Sequence, residues 1–330
     1  MHVLSSMFIV IFLMAVVFIG AGVLKWQYLF GVIIPYISIA VFVLGVIMRV
    51  LKWAGAPVPF RIPTTCGQQK SLSWIKQNKL EAPFTFWQVV ARMFMEVFFF
   101  RSLFRNTKAE LHEGKNLVYG SDKWLWAAGL AFHYSFLIII LRHFRFFTEP
   151  ALFFIEPIQA LDGFFQIGVP ELYLTSIILI GAVTFLFLRR IMIPQVRYIS
   201  LPADYFPLYV IFSIAATGIC MRHFYKVDIV YVKQMVTGLL TLNPVVPEGI
   251  GSVFYIHLFL VCFLLAYFPY SKLMHFAGVF FSPTRNLANN NRAKRHINPW
   301  NPKVKTHTYE EWEDEFREVM KDAGMPLEKE

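Results

Sequence analysis

The sequence predicts an all-α fold: a polytopic membrane helical bundle of six transmembrane helices, with an interfacial helix and a cytoplasmic C-terminal helix. Three observations carry that expectation. Only 16% of the 330 residues are charged, while 57% are hydrophobic, against about a quarter charged in soluble domains. The mean hydropathy is +0.52. Finally, the apolar residues gather into runs near the ~20 that a helix needs to cross a bilayer.

In chain order those runs are 3–24, 29–50, 124–147, 171–193, 205–224 and 251–281. The first lacks a positive n-region and a small-residue cleavage site, and is too long for a signal peptide, so it reads as a retained anchor. The stretch "FTFWQVVARMFMEVFFF", 84–100, is apolar but carries Arg92 and Glu96 one helical turn apart. It reads as an interfacial helix, 84–105, lying on the membrane with its charges at the headgroups.

The loops support six crossings. Residues 51–123 hold 11 Lys/Arg against 5 Asp/Glu, and 282–307 hold 6 basic residues and no acidic ones. Arg189, Arg190 and Arg197 follow the fourth run, whereas the connection before it carries Glu149, Glu156, Asp162 and Glu171. With six spans every strongly basic segment falls on one side, the cytoplasm by the positive-inside rule. A seventh crossing at 84–100 would carry two of them outside. The chain is therefore expected in the cytoplasmic (inner) membrane with both termini in the cytoplasm. The net charge of +10 is explained by that rule, and no nucleic acid is expected as a partner.

The expected organisation is two N-terminal helices (1–50), a basic cytoplasmic loop (51–123), a four-helix core (124–281) and a cytoplasmic tail (282–330). Cys66, Cys220 and Cys262 stand far apart in no CxxC pattern, which gives no iron–sulfur or zinc framework. Cys220 and Cys262 read as core residues, while Cys66, in a polar loop, could be reactive, its simpler reading being an unreactive thiol.

Histidine is where the core becomes chemically specific. His2, His112, His296 and His307 lie in ends or polar loops, and His223 is interfacial beside Arg222. His133 and His143 lie on span three, His257 and His275 on span six. Ionisable groups inside a membrane are functional candidates. The two spans run in opposite directions, so His143 comes level with His257 and His133 with His275. That arrangement suits two stacked haems, each held by two neutral imidazoles. Gly129 and Gly278 would leave room for a porphyrin face. Arg142 and Arg145 could pair with propionates or simply snorkel to the interface. Ten residues leave His133 and His143 roughly 80° apart and about 15 Å in rise, against about 27 Å for His257 and His275. Span six must then tilt or bend, and Pro269 supplies the means. A transporter, the rival class, would more usually show intramembrane Asp, Glu or Lys, or paired broken segments.

The His spacing, ten residues on one helix and eighteen on a later one, is similar to that of the di-haem cytochrome b (gamma) subunits of respiratory nitrate reductases. That resemblance covers about 124–281 and implies the same pairing. The N-terminal span and the 51–123 loop depart from it. "PFRIPTTCGQQKSLSWIKQNKLEAPF", 59–84, resembles the loop of the DsrM family, the membrane cytochrome b of the complex associated with dissimilatory sulfite reduction. The resemblance implies two haem b groups and electron transfer between menaquinone (menaquinol) and a cytoplasmic iron–sulfur subunit related to heterodisulfide reductases, among further subunits of a membrane redox complex. The alternative is the cytochrome b subunit of another quinone-linked oxidoreductase, such as nitrate reductase. The resemblance also places the quinone near the outer haem. Glu149, Glu156 and Asp162 are then candidate acceptors of quinol protons, or ordinary solvated loop carboxylates.

The tail predicts one more helix, 308–323. Thr308 and Glu311 form a capping box. Tyr309, Trp312, Phe316, Val319 and Ala323 recur at helical spacing, opposite an acidic face of Glu310, Glu311, Glu313, Asp314, Glu315 and Glu318. Gly324 is placed to end it.

Overall fold

Among the described residues of the computed structural model, six helices are long and apolar enough to cross a membrane: His2–Val23, Leu29–Ala54, Lys123–Phe146, Leu174–Met192, Pro202–His223 and Ser252–Tyr270. The structure describes residues 2–56, 67–164, 173–295, 297, 303 and 305–328. Cys66, His296, Glu171 and the start of the 59–84 loop lie outside the described residues.

The first span is α1, His2–Val17, extended by a π-helical turn at Phe18–Val23. The second opens with a π-helical turn at Leu29–Ile33 and continues as α2, Ile34–Ala54. A tight hairpin joins them, so close that a Cβ on Gly20 would lie 2.5 Å from the Phe30 ring.

The interfacial segment is helical, as α3, Phe86–Phe99, and α4, Arg101–Phe104. Phe100 between them takes a left-handed conformation, φ 49°, and splits the expected single helix. The 14 residues of α3 reach only about 21 Å, short of the ~30 Å hydrocarbon core. Its charges do not point at headgroups as expected. Arg92 is 3% exposed, and Glu96 accepts from the Ser102 amide (3.0 Å) and hydroxyl (2.7 Å). The outward face is instead aromatic and apolar, with Trp87, Val90, Phe94 and Phe98 exposed. A helix lying on a bilayer offers that face to lipid, so its polar side chains turn to protein.

An antiparallel hairpin follows, β1 (Thr107–His112) with β2 (Asn116–Ser121), an element the sequence reading did not anticipate. Its turn places Glu113 and Gly114 at positive φ, a conformation glycine adopts without strain.

The remaining helices are α5 (Lys123–His143), α6 (Ile155–Phe164), α7 (Leu174–Met192), α8 (Pro194–Ile199), α9 (Pro202–His223), α10 (Ile229–Leu240), α11 (Ser252–Tyr267), α12 (His275–Phe281) and α13 (Tyr309–Asp322). The short α6, α8 and α10 were not expected. In the bundle α5 packs on α7, α7 on α9, and α9 on α11, while α1 lies against α9 and α2 runs along α11. The largest core cluster joins α1, α9, α10 and α11 around Val17, Val210, Met235, Tyr255 and Leu260. A smaller one holds Leu179, Val183 and Ile211 against Phe132, Phe136 and Leu264.

Span six is not one helix from 251 to 281. It stops at Tyr267, and two 3-10 turns, Phe268–Tyr270 and Lys272–Met274, lead into α12, which His275 opens. Pro269 has no N–H to continue the helix, and Ser271 caps the next turn by accepting from Leu273 N at 3.1 Å. The expected bend is a full break.

The tail helix has its capping box, with Thr308 Oγ1 and Glu311 N 3.2 Å apart and Glu311 Oε2 and Thr308 N also at 3.2 Å. Gly324 follows its end at φ +65°. The acidic face, however, is not uniformly solvated. Glu313 is 1% exposed, accepting from Arg317 at 3.0 Å and from the Glu328 amide at 2.8 Å. The chain after the helix folds back over it.

Candidate haem-binding site

The four histidines of the core meet in two pairs. The rings of His133 and His275 have centroids 6.0 Å apart and cross at 88°. Those of His143 and His257 are 6.5 Å apart and nearly parallel, at 13°. Two imidazoles on opposite sides of one metal, with bonds of about 2 Å, have centroids roughly 6 Å apart. Both pairs match that separation.

The four Nδ1 atoms point the same way chemically. His133 Nδ1 lies 2.7 Å from Gly129 O, and His143 Nδ1 2.7 Å from Ile139 O, each carbonyl one turn earlier in α5. His275 Nδ1 lies 3.1 Å from Lys272 O. A carbonyl only accepts, so each of these Nδ1 atoms carries the proton. His257 Nδ1 lies 3.0 Å from Thr217 Oγ1, whose own proton goes to Ser213 O at 2.7 Å. The Thr217 oxygen therefore accepts from His257. Every ring has its Nδ1–H engaged, which leaves a lone pair on every Nε2 for a metal and fixes the ring's orientation.

Among the described residues there is no group of three or more His, Cys, Asp or Glu side chains arranged for a metal ion. Two imidazoles per level suit an iron whose other ligands belong to a porphyrin. Helix packing suits it too. Helices in direct contact sit about 8–10 Å apart, but α5 and α11 do not pack along one another: α5 leans on α7, and α11 on α9 and α2. The residues present fit two haems.

Several positions differ from expectation. Gly129 and Gly278 do not face open space: a Cβ at Gly129 would meet Leu103 at 3.7 Å, and one at Gly278 would meet Trp53 at 3.6 Å. The glycine that matters to a ligand is Gly218, where a Cβ would lie 3.3 Å from the His257 ring. Thr217 and Gly218 went unremarked in sequence. The available signal was a hydroxyl followed by a glycine inside an apolar span, "AATGIC".

At the His143 end, basic residues converge. Arg142 pairs with Asp162 at 2.5 Å and stacks over Tyr173 at 4.2 Å. Arg222 covers the same ring at 3.8 Å and bonds its hydroxyl. Asp162 also accepts from the Thr175 amide (3.0 Å) and hydroxyl (2.6 Å). It is a buried, fully engaged carboxylate rather than a solvated loop group. Arg145 donates to Gln159 at 3.0 Å. Glu149 pairs with Lys233 of α10. Arg145, Glu156, Gln159, Tyr173 and Lys233 line a cavity of about 600 Å³. The structure thus separates the three candidate carboxylates: Glu156 faces the cavity, Glu149 is held by Lys233, and Asp162 anchors Arg142.

Residues 84–295 match the nitrate reductase gamma subunit family, a stretch that contains all four histidines. The chain is 45% identical over 281 residues to an Hdr-like menaquinol oxidoreductase cytochrome b-like subunit of Archaeoglobus fulgidus, covering 83% of this chain and 84% of that protein. It is 43% identical over 277 residues to the subunit of the same description from Archaeoglobus profundus, covering 82% of each. With the histidine pairs, the break before His275 and these matches together, the chain belongs to the nitrate reductase gamma subunit family.

Proposed function

We propose that the chain is a di-haem b membrane subunit that carries electrons between menaquinol and a cytoplasmic iron–sulfur protein of the heterodisulfide-reductase type, in a complex linked to sulfite or sulfate respiration. The observation that carries this reading is the pair of imidazole pairs, with every Nδ1–H engaged and every Nε2 available. Quinone linkage is supported by both Archaeoglobus relatives, which are menaquinol oxidoreductase subunits. The sulfur-specific role rests on the 59–84 loop. His133 and His275 hold one haem, and His143 and His257 the other. Bound haem supplies one-electron redox chemistry. The chain's own residues hold the ligands in one tautomer and place positive charge at one end. Arg142, Arg145 and Arg222 are suited to propionates there: Asp162 pairs with Arg142, Arg222 shares the Tyr173 ring with it, and Arg145 lines the adjoining cavity.

The basic loops support a cytoplasmic side on which His133 and His275 lie inward and the cavity outward. Purification from native membranes tests the whole reading. Two b-type haems per chain and a co-purifying iron–sulfur subunit are expected. A preparation without a Soret band would end it.

The ring angles give a second expectation. Were ferric haem held by these rings, the perpendicular pair would give a strongly anisotropic EPR signal and the parallel pair an ordinary rhombic one. The oxidised protein should show one signal of each kind, the anisotropic one disappearing with His275→Ala. Two identical rhombic signals would contradict the inner geometry.

The cavity beside Arg145, at the His143 level, is the site this reading gives to menaquinol. Its oxidation releases two protons and two electrons, and a carboxylate at the cavity wall can take a proton as the ring is oxidised. Neutralising Glu149, Glu156 and Asp162 together should slow quinol-driven haem reduction by about 100-fold. Glu156→Gln alone should account for most of that loss, since only Glu156 of the three lines the cavity. Stopped-flow reduction by a menaquinol analogue measures it, and an unchanged rate in the triple variant would remove the site.

A further inference from the structure

We infer that α2 is a splint for the inner ligand segment, and that Gly45 is a positioning residue for His275. The inference rests on the haem reading above. Residues 1–83 lie outside the segment that matches the family, and their simplest role is an added anchor. The contacts say more. α2 runs along α11, then continues past the end of that helix onto Phe268–Tyr270 and α12.

His275 needs such support. The backbone between α11 and α12 is two short 3-10 turns, a geometry with poorer hydrogen bonds than an α-helix. Pro269 interrupts the helical ladder. The position of α11, and with it His257, therefore does not fix His275 through a continuous helix. Something outside the segment must.

α2 grips it on both sides. Before the histidine, Pro269 is fully buried, and a Cβ on Gly45 would lie 2.7 Å from its Cβ, 2.9 Å from its Cγ and 3.2 Å from Tyr270 Oη. A proline ring has no rotamer into which to retreat. After the histidine, Trp53 packs on Phe281 at 6.2 Å and lies against Gly278, while Arg49 stacks over Trp53 at 5.1 Å. The two grips bracket His275. Ligand placement must hold within about 0.5 Å to be productive, so added bulk at Gly45 is transmitted to the iron's ligand.

The test uses the full chain in its membranes, with haem content, redox titration and EPR read separately for the two haems. Gly45→Leu should lose the His133–His275 haem and keep the His143–His257 haem, whose survival certifies the fold. Gly45→Ala should keep both but shift the potential and EPR signal of the His133–His275 haem alone, and it decides the matter if the leucine variant fails to accumulate. Trp53→Ala should act in the same direction from the other side. Leu44→Ala, at a neighbouring exposed position (60%), should change neither haem. Gly45 variants in which both haems are untouched, or both are affected alike, overturn the inference. A wild-type chain lacking the His133–His275 haem overturns the haem reading itself, and the inference with it.

Discussion

His143→Ala or His257→Ala should remove mainly the haem at the cavity end of the bundle, and His133→Ala or His275→Ala mainly the other. The expectation follows from the pairing: each level has two imidazoles, and the rings of one level do not reach the other. Were each pair to hold a haem, losing one imidazole would leave that haem a single protein ligand, so it should fall to a minor fraction while its neighbour stays. Haem extraction and the reduced spectrum measure both. A variant with unchanged haem content and spectrum would falsify that ligand assignment. Thr217→Val gives a finer result. It removes the acceptor for His257 Nδ1–H while keeping the side chain's shape, and such supporting contacts are worth about 10–100-fold in metal affinity. The haem held by His143 and His257 should bind more weakly and shift in potential, with the other unaltered.

The parts of this architecture legible in the sequence are those set by composition and period. Six spans were readable because the bilayer imposes one length and one solvent on each. The histidine pairing was readable because antiparallel spans fix which residues share a level. The break at Pro269 was half legible: a proline announces a lost hydrogen bond, but not whether the helix bends or stops. Here Ser271 caps a new turn, and it stops. What could not be read depends on contacts between distant segments. Arg92 and Glu96 looked like headgroup charges because nothing local says that Arg285 and Ser102 wait on the protein side. Thr217 is distinguished from any other hydroxyl in a span only by His257, forty residues away. Asp162 looked like one of several loop acids until Arg142 and Thr175 were seen to enclose it. Glu313 sat on an acidic face whose solvation the folding-back of Glu328 reverses.

Deleting residues 306–330 should release or weaken the cytoplasmic partner while both haems remain. The tail helix is built to dock. An isolated helix of this length is marginal in water, yet its start is fully capped and Met320 is buried at 3% exposure. One apolar stripe stays open: Tyr309, Trp312, Phe316 and Val319 are 46%, 39%, 40% and 66% exposed, with the aromatic rings in contact along the helix at 5.8 Å each. Among the described residues α13 packs extensively on no other element, and that stripe lies open there. Membrane docking is disfavoured, because Glu310, Glu311, Asp314, Glu315 and Glu318 would face an anionic leaflet. A protein surface remains. Aromatic residues on such a stripe dominate binding, and Trp312→Ala alone should cost about 2 kcal/mol, or roughly 30-fold in affinity. The measurement is co-purification of the iron–sulfur subunit with the truncated and the substituted chain, alongside haem content. A truncated chain that keeps its subunits with equal affinity refutes the docking role. One that loses its haems as well shows instead that the tail holds the fold.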